Sequence, residues 1–145
     1  MSRENVQKVA AGFASLESDL TVMFGDDAAW ARAAERFGSL FAPAFETIVC
    51  GGPAGEQRYL GLAGWRAFWR DWLGPWETYR SEAEEFVDLG ERVLVLVRDF
   101  GLQRGSVREV EIKGAPVWTL RDGRIVRVEV FSSRSDALEA VGLER

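Results

Sequence analysis

A chain of 145 residues suffices for one domain with a core of its own. Apolar residues at 47% and charged residues at 28% exclude a disordered chain, whereas six Trp and nine Phe are more rings than a small core requires and suggest a ring-walled cavity. A net charge of −5 without a basic run argues against a nucleic-acid partner, and the absence of histidine excludes Ser-His-Asp and Cys-His catalysis and the common histidine metal sites. The single cysteine, Cys50, forms no internal disulfide, which suits a reducing compartment. The polar start Met1-Ser2-Arg3-Glu4-Asn5 lacks the apolar core of a signal peptide, and no stretch of about 18 apolar residues occurs. A cytoplasmic protein with no membrane partner is expected.

Val6, Val9, Phe13, Leu16 and Leu20 fall at steps of three and four and predict one amphipathic helix, with Ser2 as its candidate N-cap. A second helix is expected from Asp26 or Asp27, carrying Trp30, Ala34, Phe37 and Phe41 on one face and ended by Pro43. Residues 44–50 read as a strand, Gly51-Gly52-Pro53-Ala54-Gly55 as a turn, and Tyr59-Leu60 as a short strand. Trp65, Phe68, Trp69, Trp72 and Trp76 then mark a third helix, ended or kinked at Gly74-Pro75.

From Glu77 to Phe131 the pattern is antiparallel sheet, with strands expected at about 79–88, 92–104, 107–120 and 124–131. Val93-Leu94-Val95-Leu96-Val97 is apolar without alternation, which predicts cover on both faces. One cover is the helical layer, and the other is expected to be a second copy of the chain. Arg121-Asp122-Gly123 suits a three-residue turn that pairs Trp118 with Val126, Pro116 with Val128 and Gly114 with Val130. That apolar set is assigned to the interior, and Ala115, Val117, Thr119, Ile125, Arg127 and Glu129 to the outer face. A closing helix is expected, opened by Ser133 and Asp136 and stopped at Gly142, with Leu143 folding back on Leu138.

This order of elements resembles the NTF2-like superfamily, and within it the SnoaL-like branch. Tyr59-Leu60-Gly61 leading into Trp65-Arg66-Ala67-Phe68-Trp69-Arg70-Asp71-Trp72 resembles the branch's third helix. Glu84 to Asp88 before Arg92-Val93-Leu94-Val95 resembles its first sheet hairpin. Val117 to Arg127 resembles its last hairpin, and Ala137 to Leu143 its closing helix. The likeness covers about 59–143. It implies a single α+β domain over 1–145: a cone with N-terminal helices on a strongly curved mixed or antiparallel sheet and a short C-terminal helix.

The branch includes polyketide cyclases, ketosteroid isomerases and pocket proteins without known chemistry, so it implies architecture more than activity. It also implies acid–base positions that this chain does not fill. Pro116 stands where many relatives have His or an acid, Val130 where cyclases have Asp, and Cys50-Gly51-Gly52-Pro53 where isomerases have their base. Phe131 and Ser133 stand where many relatives have Tyr and Asp.

The stronger remaining candidate proton carrier is Asp99, at the end of the apolar strand, and Glu46 in the first strand is a weaker one. The alternative is a solvated strand end paired with Arg98 or Arg104. The expected pocket wall is Trp69 and Trp118, then Trp65 and Trp72, with Phe86, Pro116, Val128 and Val130. Tyr79, Tyr59 and Glu46 are candidate polar contributors, although each also reads as ordinary packing or a solvated group. No cofactor and no metal are expected. A binding domain for a small apolar or aromatic ligand is preferred. The alternatives are a cofactor-independent cyclase or isomerase using Asp99, with Tyr79 or Trp118 stabilising an oxyanion, and a homodimeric interaction module joined through the outer sheet face.

Overall fold

The computed structural model describes residues 2–52 and 55–143. Pro53 and Ala54 of the expected turn, and the Ser2 side chain expected to cap the first helix, lie outside the described residues. Helix α1 (Ser2–Ala14) carries Val9 and Phe13 inward and then stops. The expected stripe through Leu20 is broken because Asp19 opens a separate helix, α2 (Leu20–Gly25), its Oδ1 accepting from Thr21 N at 3.0 Å. Asp26 caps α3 (Asp27–Phe37) by accepting from Ala29 N at 2.8 Å.

Phe41 and Pro43 belong to strand β1 (Phe41–Gly52) and not to a helix. Pro43 sits in an irregular stretch between the Phe41–Ile125 and Glu46–Arg127 pairs, where a missing N–H disturbs no ladder. Strand β2 (Gly55–Leu60) leads into α4 (Gly61–Leu73), and Trp76 opens β3 (Trp76–Asp88) instead of closing the helix. There follow β4 (Arg92–Gln103), β5 (Glu109–Gly114), β6 (Val117–Arg121), β7 (Arg124–Val130) and helix α5 (Arg134–Ala140).

The strands form one mixed sheet in the order β2-β1-β7-β6-β4-β3, with β5 also paired to β4 and β1 parallel to β7. The expected strand over 107–120 is two strands, β5 and β6, both antiparallel to β4 and separated by Ala115-Pro116. Proline cannot donate to the ladder, yet its carbonyl accepts from Val95 N at 3.0 Å.

The apolar run of β4 resolves into two faces. Val93, Val95 and Val97 join the core beneath α1 and α4, whereas Leu94 and Leu96 pack with Ala137 and Leu138 of α5. The cover expected from a second copy is therefore supplied by the chain's own last helix. That helix ends as expected: Gly142 has φ 78, Leu143 N donates to Leu138 O at 2.8 Å, and Gly142 N donates to Glu139 O at 3.1 Å.

The last hairpin departs from the expected register. Asp122 and Gly123 both have positive φ, 53 and 77, which makes a two-residue type I′ turn with Arg121 opposite Arg124. A bulge between Thr119 and Leu120 then sets Trp118 opposite Val128. Turn and bulge together move the register by two, so Trp118, Val128 and Val130 still share the interior face. Ile125, expected outside, faces the core in place of Val126.

Candidate functional site

The sheet curls around a cavity of about 440 Å³ between its concave face, α1 and α4. Alternation directs Phe45, Thr47 and Val49 of β1, Val97 and Asp99 of β4, Ile112 of β5, Trp118 of β6, and Val128 and Val130 of β7 toward this side. From the helices come Val9 and Phe13, and Trp65, Trp69 and Trp72. Trp72 is 41% exposed, which sets it at the rim. The rings brace one another: Trp118 stands edge-on to Phe13 at 6.0 Å and to Trp65 at 6.5 Å, and Phe24 stacks on Trp69 at 5.3 Å. This mutual support leaves the hollow open, not filled by indoles.

Asp99 is the single carboxylate among the described lining residues, and it is only 9% exposed. Its Oδ2 accepts from the Tyr79 hydroxyl at 2.6 Å and its Oδ1 from the Ser81 hydroxyl at 2.5 Å. Ser81 lies directly opposite Asp99 in the β3–β4 ladder, and Tyr79, two residues earlier, reaches across diagonally. No cation pairs with Asp99 among the described residues. Arg98 turns outward to Glu111, and Arg104 donates to the Gly74 carbonyl at 3.1 Å. Burial pushes the Asp99 carboxyl above the usual carboxylate range, while hydrogen bonds from Ser81 and Tyr79 act in the opposite direction. Burial, followed by the charge of Asp99, raises the Tyr79 phenol well above its ordinary value, with Trp72 opposing.

Tyr79 is held from both sides. Its backbone N–H donates to Asp19 Oδ1 at 3.2 Å, so the cap of α2 also anchors β3. Beneath its ring lies Gly101, where a Cβ would come within 2.5 Å of the Trp76 ring and 3.0 Å of Tyr79 Cδ2. Sequence reasoning missed Ser81, Asp19 and Gly101. A signal for Ser81 existed in the Tyr79–Ser81 alternation, but a bulge between Ala83 and Glu85 shifts the hairpin register and hides its partner. Asp19 is a preferred N-cap residue type whose signal the continuing apolar stripe masked, and nothing local marks Gly101.

Of the sequence-predicted site residues, Asp99, Tyr79, Trp65, Trp69, Trp72, Trp118, Pro116, Val128 and Val130 all border the cavity. Three do not. Glu46 points to the outer face because Phe45 and Thr47 point in, and it pairs with Arg58 and Arg127, each at 3.1 Å. Tyr59 lies on β2 against Phe68 at 5.8 Å, outside the hollow. Phe86 faces inward but is capped by Phe13 at 5.9 Å. Arg127 and Glu129 do not line the cavity.

Cys50 borders the hollow as a thiol pushed up by burial and then by Glu129 and Glu56, which disfavours a nucleophilic thiolate. Trp118 Nε1 is buried without a hydrogen-bond partner among the described residues. No three potential metal ligands converge among the described residues, and no helix among them is long and apolar enough to cross a membrane. The arrangement offers an apolar, ring-lined chamber with one inward carboxylate and two hydroxyls attached to it.

The SnoaL-like domain family matches residues 23–128. No curated protein matches the sequence. Among solved structures, TerC, co-crystallised with polyporic acid, is 21% identical with a TM-score of 0.66, covering 96% of this chain and 98% of that one. An NTF2-like protein of unknown function from Burkholderia pseudomallei is 20% identical with a TM-score of 0.65, covering 95% and 97%. A protein of ketosteroid isomerase-like fold from Catenulispora acidiphila, in complex with trimethylamine, is 18% identical with a TM-score of 0.54, covering 74% and 80%. At such identities the likeness shows the fold alone, an α+β NTF2-like cone.

Proposed function

The chain belongs to the SnoaL-like domain family, and from that premise we propose that its cone binds a small, largely apolar, ring-bearing molecule. The observation that carries this reading is a hollow of about 440 Å³, within the range of small-molecule sites, whose walls are indoles, phenyl rings and aliphatic groups and whose inward charge, among the described residues, is confined to Asp99. Rings supply broad contact, while the Tyr79–Asp99–Ser81 cluster supplies a directional polar point. Two structural neighbours carry small molecules, polyporic acid in one and trimethylamine in the other, which supports a ligand chamber without naming its occupant. Titration of an apolar bicyclic probe, followed by tryptophan fluorescence, tests the reading. Val130 borders the hollow and is half-buried, so Val130→Trp fills the chamber from one wall. Saturable quenching that Val130→Trp abolishes supports the proposal, and quenching that survives it refutes it.

A second reading is favoured by one observation: Asp99 points into the chamber, raised by burial and unpaired by any cation among the described residues. Such a carboxylate suits proton removal beside a carbonyl, as in a cofactor-independent cyclase or isomerase, with the Tyr79 hydroxyl beside it to stabilise negative charge. Deuterium exchange into an enolisable ketone reads this activity directly, and exchange that persists in Asp99→Asn contradicts it. Association of two copies through the outer sheet face is also proposed. Its remaining support is the surface α5 leaves open, where Arg80 and Arg98 stack on Phe100 at 4.0 and 5.2 Å. A monomeric mass by light scattering at micromolar concentration contradicts it.

A further inference from the structure

Four acids exposed around β3–β5 pair with arginines. Arg80 pairs with Glu82 and Glu109, Arg98 with Glu111, and Arg134 with Glu84. Asp99, the buried carboxylate of the same strands, receives none among the described residues. The one cation among the described lining residues, Lys113, is exposed and belongs by alternation to the outer face of β5, opposite Arg98. An ionised carboxylate withdrawn from water is stabilised by a counter-charge, and here hydroxyls alone stand in its place.

Aromatic rings surround the hydroxyl that binds Asp99. The ring of Tyr79, whose hydroxyl binds Asp99, lies 6.0 Å from Trp69 and 6.2 Å from Trp72, and both indoles border the hollow. The faces of such rings are electron-rich and attract ammonium groups. An anionic ligand would meet the carboxylate and gain no inward cation in return.

Resting on the binding reading above, we infer that the occupant is a lipophilic amine, an apolar ring body carrying one protonated nitrogen that sits beside Asp99 against Trp69, Trp72 and Tyr79. The body extends toward Phe13, Trp65 and Trp118. Size and apolarity select the scaffold, and the carboxylate with its ring faces selects the nitrogen.

The test is a matched set of probes on one scaffold: naphthylmethylamine, naphthylmethanol and naphthoate, titrated calorimetrically into the wild-type protein and Asp99→Asn. The amine is expected to bind about tenfold tighter than the alcohol, with naphthoate weakest. In Asp99→Asn, whose amide keeps hydrogen-bonding capacity toward Tyr79 and Ser81, amine and alcohol become equal while the alcohol is unchanged within about twofold. If the alcohol or naphthoate binds wild type as tightly as the amine, the inference fails while the binding reading stands. If none of the three binds, both fail. The comparison on wild type decides the matter even if the variant does not fold.

Discussion

Replacing Tyr79 with Phe removes one oxygen and leaves the ring packing intact. The lost hydroxyl donates to Asp99 at 2.6 Å, and Tyr79 is 2% exposed, so water does not replace it readily. Hydrogen bonds to charged groups contribute about 1.5–3 kcal/mol. For a chain of this length each kcal/mol moves the melting temperature by roughly 2–4 °C, which predicts a fall of about 3–12 °C.

The effect should depend on pH. The hydroxyl favours the anionic form of Asp99, holding its folded-state value lower than it would otherwise be. That contribution is complete where Asp99 is ionised and is lost as pH falls through the folded-state value. Urea unfolding of both proteins at neutral pH and at about pH 4, near the reference value of Asp, reads the difference. The cost of Tyr79→Phe should shrink at the lower pH, and a double-mutant cycle with Asp99→Asn should give coupling of about 1 kcal/mol or more. A neutral-pH cost below about 0.5 kcal/mol, or a cost equal at both pH values, refutes the charge-assisted bond.

Asp99 itself carries the opposite sign of linkage. Its folded-state value lies above its unfolded one, so stability is lost as pH rises from the unfolded value, about 3.9, to the folded one. Wild type minus Asp99→Asn isolates this component in urea titrations, and Asp99→Asn should be the more stable at neutral pH; a difference that is flat with pH contradicts it. Gly101→Ala drives a methyl into the Trp76 and Tyr79 rings and should cost about 1–3 kcal/mol, read as a lower urea midpoint; an unchanged midpoint contradicts the packing. Asp19→Ala removes both the α2 cap and the anchor of Tyr79 N–H, at about 1–2 kcal/mol, and should weaken binding of apolar probes as well as stability.

Much of the architecture was legible because periodicity and punctuation agreed. The indole spacing marked α4, the turns marked the hairpins, and Ser133 with Gly142 bounded α5. What failed was local. Asp19 divided one apparent stripe into two helices because a cap competes with helix continuation, and Pro43 was accommodated by an irregular strand. The run Val93–Val97 correctly required two covers, but no local pattern says that the second lies some 40 residues downstream in α5. Within the hollow, strand parity located Trp118, Val128 and Val130. A bulge reversed Ile125 and Val126, and another hid Ser81 opposite Asp99. Bulges depend on tertiary fit and leave no fixed residue signature, so side chains beyond them are the hardest to place.

On the binding reading the cone is an open chamber whose polar end is Asp99. A crystal structure of the protein soaked with naphthylmethylamine tests it most directly. The ring system is expected between Phe13, Trp65 and Trp118, with the nitrogen within hydrogen-bond distance of an Asp99 carboxylate oxygen. A hollow closed by collapsed indoles, or the probe bound with its nitrogen turned away from Asp99, would contradict it.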